Sequence, residues 1–123
     1  DFENEEVITV MGNLYLLKVA FKNLMENGCK FSPDKRTSVL LGFDQANVIL
    51  EFSDNGIGIP EEDHASIFKP FFRGTNQHYS AGSGIGLSLT QKIVELHKGE
   101  IRLDSSSPSG TRFVMTLPQA NRL

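Results

Sequence analysis

Asn47-Val48-Ile49-Leu50-Glu51-Phe52-Ser53-Asp54-Asn55-Gly56-Ile57-Gly58-Ile59-Pro60 is a strand that ends at a carboxylate and runs into a glycine-rich loop. From Asn47 to Phe52, Val48, Leu50 and Phe52 alternate with Asn47, Ile49 and Glu51, the pattern of a strand with one deeply buried face. Asp54 then stands at the strand mouth, and Gly56 and Gly58 leave room for a flat ligand to approach the backbone. A carboxylate there accepts a hydrogen bond from the exocyclic amine of adenine and rejects guanine, which offers an acceptor at that place. The short string Asp-Asn-Gly is common in plain turns. The whole heptad following a strand points to function.

Working outward, Ser38 to Phe43 is a second β run, and the polar link Asp44-Gln45-Ala46 predicts a hairpin. Upstream, Leu14, Leu17, Phe21 and Leu24 recur at steps of three and four, which predicts a helix from Leu14 to about Lys30 with Asn13 as N-cap. Ser32-Pro33-Asp34 ends it, because proline disfavours helix at the residue before it. Val7 to Val10 has the composition of an edge strand. Downstream, Pro60 and the acids after it start a short helix from Glu61 to Phe68. Lys69 to Ser83 shows no period and reads as a long loop, a length usually tied to function or disorder. A helix follows from Gly84 to about His97, with Ile85, Leu89, Ile93 and Leu96 as its apolar stripe and Lys98-Gly99 as its C-cap. The strands Glu100 to Ser105 and Arg112 to Leu117 close the chain through Pro108-Ser109-Gly110. The expected fold is α/β (α+β): a two-layer sandwich with helices on one face of a mixed sheet.

The 123 residues fit one domain, 1–123, and a hydrophobic share of 39% suffices for a core. A net charge of −3 with no basic block argues against nucleic acid and against direct contact with an anionic membrane. An anionic ligand would therefore need backbone N–H groups, a metal or a few placed cations. Cys29 is the single cysteine, so no internal disulfide is possible, and it reads as a structural thiol. No apolar run reaches the roughly 20 residues of a membrane helix, and the opening Asp1-Phe2-Glu3-Asn4-Glu5-Glu6 is not a signal peptide. These features predict a cytoplasmic location.

Three further groups carry chemistry. Asn23, Asn27 and Lys30 fall within roughly a 60° arc of the first helix. An Asn oxygen is a hard neutral ligand suited to Mg²⁺ shared with phosphates, and a Lys can meet a phosphate as a point charge. The same three residues also fit a solvated helix face. Gly82-Ser83-Gly84-Ile85-Gly86-Leu87 leads glycine-rich backbone into a helix N-terminus, which suits phosphate. It matches neither the phosphate loop ending in Gly-Lys-Ser/Thr nor the dinucleotide fingerprint. Phe68, Phe71, Phe72 and Arg73 open the long loop, either as core anchors or as the root of a lid whose Arg73 reaches a terminal phosphate. His64, His78 and His97 have no acidic partner in a recognisable motif.

The order of these groups resembles the N, G1, F, G2 and G3 boxes of sensor histidine kinases, members of the wider GHKL superfamily. The boxes are Asn23…Asn27, Asp54-x-Gly-x-Gly, Phe71-Phe72-Arg73, Gly82-x-Gly-x-Gly-Leu87 and Gly110-Thr111-x-Phe113, spanning Val7 to Leu117. The resemblance implies the sandwich fold of that superfamily, a mobile ATP lid, and ATP with Mg²⁺ as ligands. It makes Asn27 the Mg²⁺ ligand, Asn23 its neighbour, Lys30 the phosphate contact and Phe31 an aromatic beside the nucleotide. Asp54 becomes the adenine reader, with Gly56, Gly58 and Ile59 at the pocket floor and Thr111 behind it. Phe71 and Arg73 belong to the lid root, Arg73 near the γ-phosphate. Gly82, Gly84, Ile85, Gly86 and Leu87 form the lid end and phosphate cradle. Glu26 stands where acids are frequent in the family, either orienting an acceptor imidazole or simply solvated.

The hydrolysing branches of the superfamily carry a glutamate where Asn23 stands, and an amide cannot take a proton from water. The resemblance therefore implies phosphoryl transfer to a histidine of a separate dimerisation domain of the same protein, then to a response regulator. That His-bearing hairpin is not in this chain, so an isolated monomer is expected, with anchorage of the full-length protein in the bacterial inner membrane left open. An anti-sigma-type serine kinase and a non-catalytic nucleotide-binding regulatory module are the alternatives. Asn13 departs from the family's usual Asp, and either residue caps a helix.

Overall fold

A computed structural model describes residues 8–31, 36–56, 58–72, 86–107 and 110–120, with backbone alone at 27–31, 106 and 107. The elements are α1 (Leu14–Phe31), β1 (Thr37–Phe43), β2 (Asn47–Asp54), a single 3₁₀ turn (Glu61–Asp63), α2 (Gly86–Leu96), β3 (Glu100–Ser107) and β4 (Gly110–Pro118). The strands form one sheet in the order β1-β2-β4-β3, and both helices pack together on one of its faces.

The two-layer α+β sandwich matches the expectation, but among the described residues the sheet is not mixed. All three described pairings are antiparallel. A strand, a crossover helix and another strand ordinarily give parallel neighbours. Here β2 and β3 do run the same way, but β4 folds back between them, a split β-α-β arrangement. Its consequence for function is direct: β4 lies against β2 at full length, and Asp54 at the end of β2 pairs with Thr111 at the start of β4.

The buried face of the sheet comes from the alternation read in β2. Val48 and Phe52 are buried, as are Phe113, Met115 and Leu117 of β4 and Ile101 of β3. Phe52 meets Phe21 of α1 with ring centroids 6.2 Å apart, and Phe68 meets Phe113 edge-on at 6.1 Å. Phe68 is thus a core anchor. Ala20 and Leu24 of α1 and Ile93 and Val94 of α2 complete the core.

Several local expectations change. Residues 8–10 are not a strand; Thr9 accepts one backbone hydrogen bond from Ala120 (2.7 Å), and Val7 lies outside the described residues. The predicted helix over Glu61–Phe68 is one 3₁₀ turn followed by further turns, because each N–H from Asp63 to Ser66 that is paired reaches back only three residues. Leu14 is exposed, so the buried stripe of α1 starts one turn later than its apolar spacing implies. In α2 the expected stripe holds only in part. Ile93 is buried, but Leu89 and Leu96 point outward, and Thr90 and Val94 are buried in their place.

The end of α2 follows a Schellman pattern, with Gly99 N–H donating to Val94 C=O (2.9 Å) and Lys98 N–H to Glu95 C=O (2.9 Å). The left-handed residue is Lys98 (φ 63°), not Gly99. Gly99 is required for a different reason: a Cβ there would stand 2.2 Å from the Thr116 carbonyl oxygen. His97 then ties the two helices. Its Nδ1–H donates to Ile93 C=O (2.7 Å) and its Nε2 accepts from Asn13 N–H (3.0 Å). Asn13 caps α1 as expected, its Oδ1 accepting from Leu16 N–H at 3.0 Å.

Candidate functional site

The site has a sheet end and a helix end. At the sheet end, Asp54 closes β2 and its Oδ1 accepts from Gly56 N–H at 2.8 Å. The N–H of Thr111, its partner across the ladder, also bonds the carboxylate. Partial burial raises the Asp54 pKa above 3.8, and the two backbone donors pull it back down. A carboxylate has about four lone-pair positions, so two N–H bonds leave it able to accept another donor. Thr111 is buried behind it.

Two glycines shape this end. Gly58 adopts φ 79°, a left-handed conformation that carries the chain away from the strand. Gly110 adopts φ 152°, and a Cβ there would meet the Asp54 carbonyl oxygen at 2.2 Å. Gly110 belongs to the Gly-Thr-x-Phe string but was not among the expected site residues; its close approach to Asp54 appears only once the strands are paired. Ile59 is buried in the core, and its carbonyl accepts from His64 Nε2–H (2.8 Å), which holds the loop floor to the turn below.

At the helix end, Asn23 of α1 reaches the first turn of α2. Its Nδ2 lies 3.4 Å from both Gly86 O and Thr90 Oγ1. Leu87 packs partly into the core. Asn27 follows Asn23 by one helical turn on the same face of α1. The side chains of Asn27, Lys30 and Phe31, and all of Arg73, Gly82, Gly84 and Ile85, lie outside the described residues. Glu26 is exposed and 4.0 Å from Lys22, a surface pair that contributes little. Phe71 is exposed with φ 63°, while Phe72 packs against the core.

Among the described residues no group of three His, Cys, Asp or Glu could hold a metal.

Comparison with known proteins decides the family. Residues 12–121 match the model described as histidine kinase-, DNA gyrase B-, and HSP90-like ATPase. The chain belongs to this family. Within it, the solved structure of the mycobacterial sensor histidine kinase MprB superposes with a TM-score of 0.82 at 32% identity, covering 91% of this chain and 78% of that one. Histidine kinase P4 of Formosa agariphila is 36% identical over 95% of this chain. The adaptive-response sensory kinase SasA of Rippkaea orientalis is 35% identical over 93% of it. This chain spans only 9% and 30% of those two relatives. It is an ATP-binding catalytic domain of the sensor histidine kinase type, with the α+β sandwich of its relatives. No helix among the described residues is long and apolar enough to cross a membrane.

Proposed function

We propose that this domain binds ATP with Mg²⁺ and passes the γ-phosphoryl group to a histidine of a dimerisation domain in the same protein, from which a response regulator is phosphorylated. The observation that carries the reading is Asp54. It is a half-buried acceptor at a strand end, fixed by two backbone N–H groups and backed by Thr111. A bound ATP·Mg²⁺ would supply the transferable phosphoryl group with part of its charge neutralised.

Asp54, ionised, accepts from the adenine amine and holds the base against Gly56 and Gly58. Asn27 is the amide assigned to the metal, and Lys30 and Arg73 are the cations assigned to the phosphates. The N-terminal end of α2, which Gly82, Gly84 and Ile85 precede in sequence, is assigned to the phosphates through its backbone N–H groups. Phosphoryl transfer is mainly positioning and electrostatic stabilisation, so this set suffices apart from the acceptor. Asn23 supports transfer over hydrolysis. Its amide faces α2 and cannot activate water. The reading puts the acceptor histidine on a separate dimerisation domain, with this domain on the cytoplasmic side and monomeric in isolation.

The test is incubation of the domain with γ-labelled ATP·Mg²⁺ and a separately supplied His-bearing hairpin. The reading predicts label on the hairpin that is lost in acid and stable in base, as for phosphohistidine. Acid-stable label, or hydrolysis without transfer, contradicts it.

A further inference from the structure

Thr90 sits in the middle of α2 with no solvent exposure, on the face turned to α1 and the sheet. Its hydroxyl donates to the carbonyl of Gly86, one turn back, at 2.8 Å. With that proton committed, Oγ1 presents lone pairs to α1. The Gly86 carbonyl can only accept. Two acceptors therefore converge on the Asn23 side chain, and both are met by the same Nδ2, at 3.4 Å each. This requirement fixes the orientation of the Asn23 amide. It also explains why an amide rather than an acid occupies the position: a carboxylate would set oxygen against two oxygens.

We propose that Thr90 is a positioning residue for the phosphate end of the nucleotide site. With Asn23 it forms a brace that sets how far the first turn of α2 stands from α1. The brace ties the two elements that the site most needs in register. α1 carries Asn27 one turn beyond Asn23, and α2 begins at Gly86, the residue whose carbonyl the brace holds. Because interiors are close-packed, a shift of α2 against α1 is resisted by apolar contacts, but those contacts have no fixed direction. The two long hydrogen bonds supply one. Thr90 touches neither metal nor nucleotide, and its effect passes through Asn23 and Gly86.

The proposal rests on the ATP·Mg²⁺ reading above, and its test separates the two. Thr90→Val keeps shape and removes the hydroxyl; Thr90→Ser keeps the hydroxyl. Affinities for ATP·Mg²⁺ and for adenosine are measured by calorimetry on each. Thr90→Val is expected to bind ATP·Mg²⁺ about five- to tenfold more weakly, the size of one or two modest hydrogen bonds, while adenosine affinity stays unchanged. Thr90→Ser is expected to restore ATP·Mg²⁺ binding. Unchanged ATP·Mg²⁺ affinity in Thr90→Val overturns the proposal. So does an equal loss for both ligands, which would mark Thr90 as a packing residue only. A wild-type chain that binds neither ligand overturns the nucleotide reading and the brace with it.

Discussion

The two ends of the proposed nucleotide site are built from different materials. At the sheet end, Asp54 is fixed by backbone: a ladder partner in Thr111, a donor in Gly56 and a glycine, Gly110, pressed on its carbonyl. At the helix end, the register between α1 and α2 rests on side chains, Asn23 and Thr90, across two long hydrogen bonds. A backbone-built site tolerates almost no change in shape. A side-chain-built site can shift by small amounts without unfolding. On the proposed reading, the base meets the stiff part of the fold and the phosphates meet the part that can adjust.

This contrast can be broken or sharpened by substitution. The largest effect is expected from Gly110→Ala. The added Cβ collides with the Asp54 backbone at a φ that other residues rarely adopt, so a loss of about 3 kcal/mol or more in chemical denaturation is expected. A mild loss would show that the strand end is less rigid than described.

Asp54→Asn comes next. It can present a donor where adenine needs an acceptor, and a loss of about 100-fold in ATP affinity is expected from calorimetry, the upper range for a hydrogen bond to a charged group. Near-normal folding in the same variant would separate this loss from destabilisation.

The third effect is pH dependence. Burial raises the Asp54 pKa in the folded state, so the folded chain holds that proton more tightly than the unfolded chain. Ionisation of Asp54 therefore costs stability as pH rises through the window above 3.8, and the full cost is present at neutral pH. Binding runs the other way. ATP affinity should fall on acidification at a higher pH than an unshifted aspartate would produce, measured as Kd against pH. A fall only below 3.8 would remove the argument for a buried acceptor. The smallest effect is expected for Glu26→Gln, within about 0.5 kcal/mol in stability, since its pair with Lys22 is exposed.

The same contrast marks what the sequence could reveal. The sheet end was legible because strand alternation and glycine placement are local signals, and Val48, Phe52 and Asp54 fall where the pattern puts them. The pairing of β4 with β2 was not, since strand order depends on which hairpin folds back into the gap. In α2, counting apolar residues selected Leu89 and Leu96, which are exposed, and passed over Thr90, which is buried. Thr90 reads as polar, and its burial is compensated by a carbonyl one turn back and by the Asn23 amide, which only the folded chain brings near. Lys98 in place of Gly99 as the left-handed residue has the same origin: Gly99 answers to the neighbouring strand, not to its own turn.

The central claim is that Asp54 reads adenine. Calorimetric titration of the domain with ATP·Mg²⁺ and with GTP·Mg²⁺ tests it most directly. The account predicts saturable ATP binding and GTP binding weaker by about tenfold or more, the discrimination of one well-placed hydrogen bond. Equal affinities for the two nucleotides would contradict it.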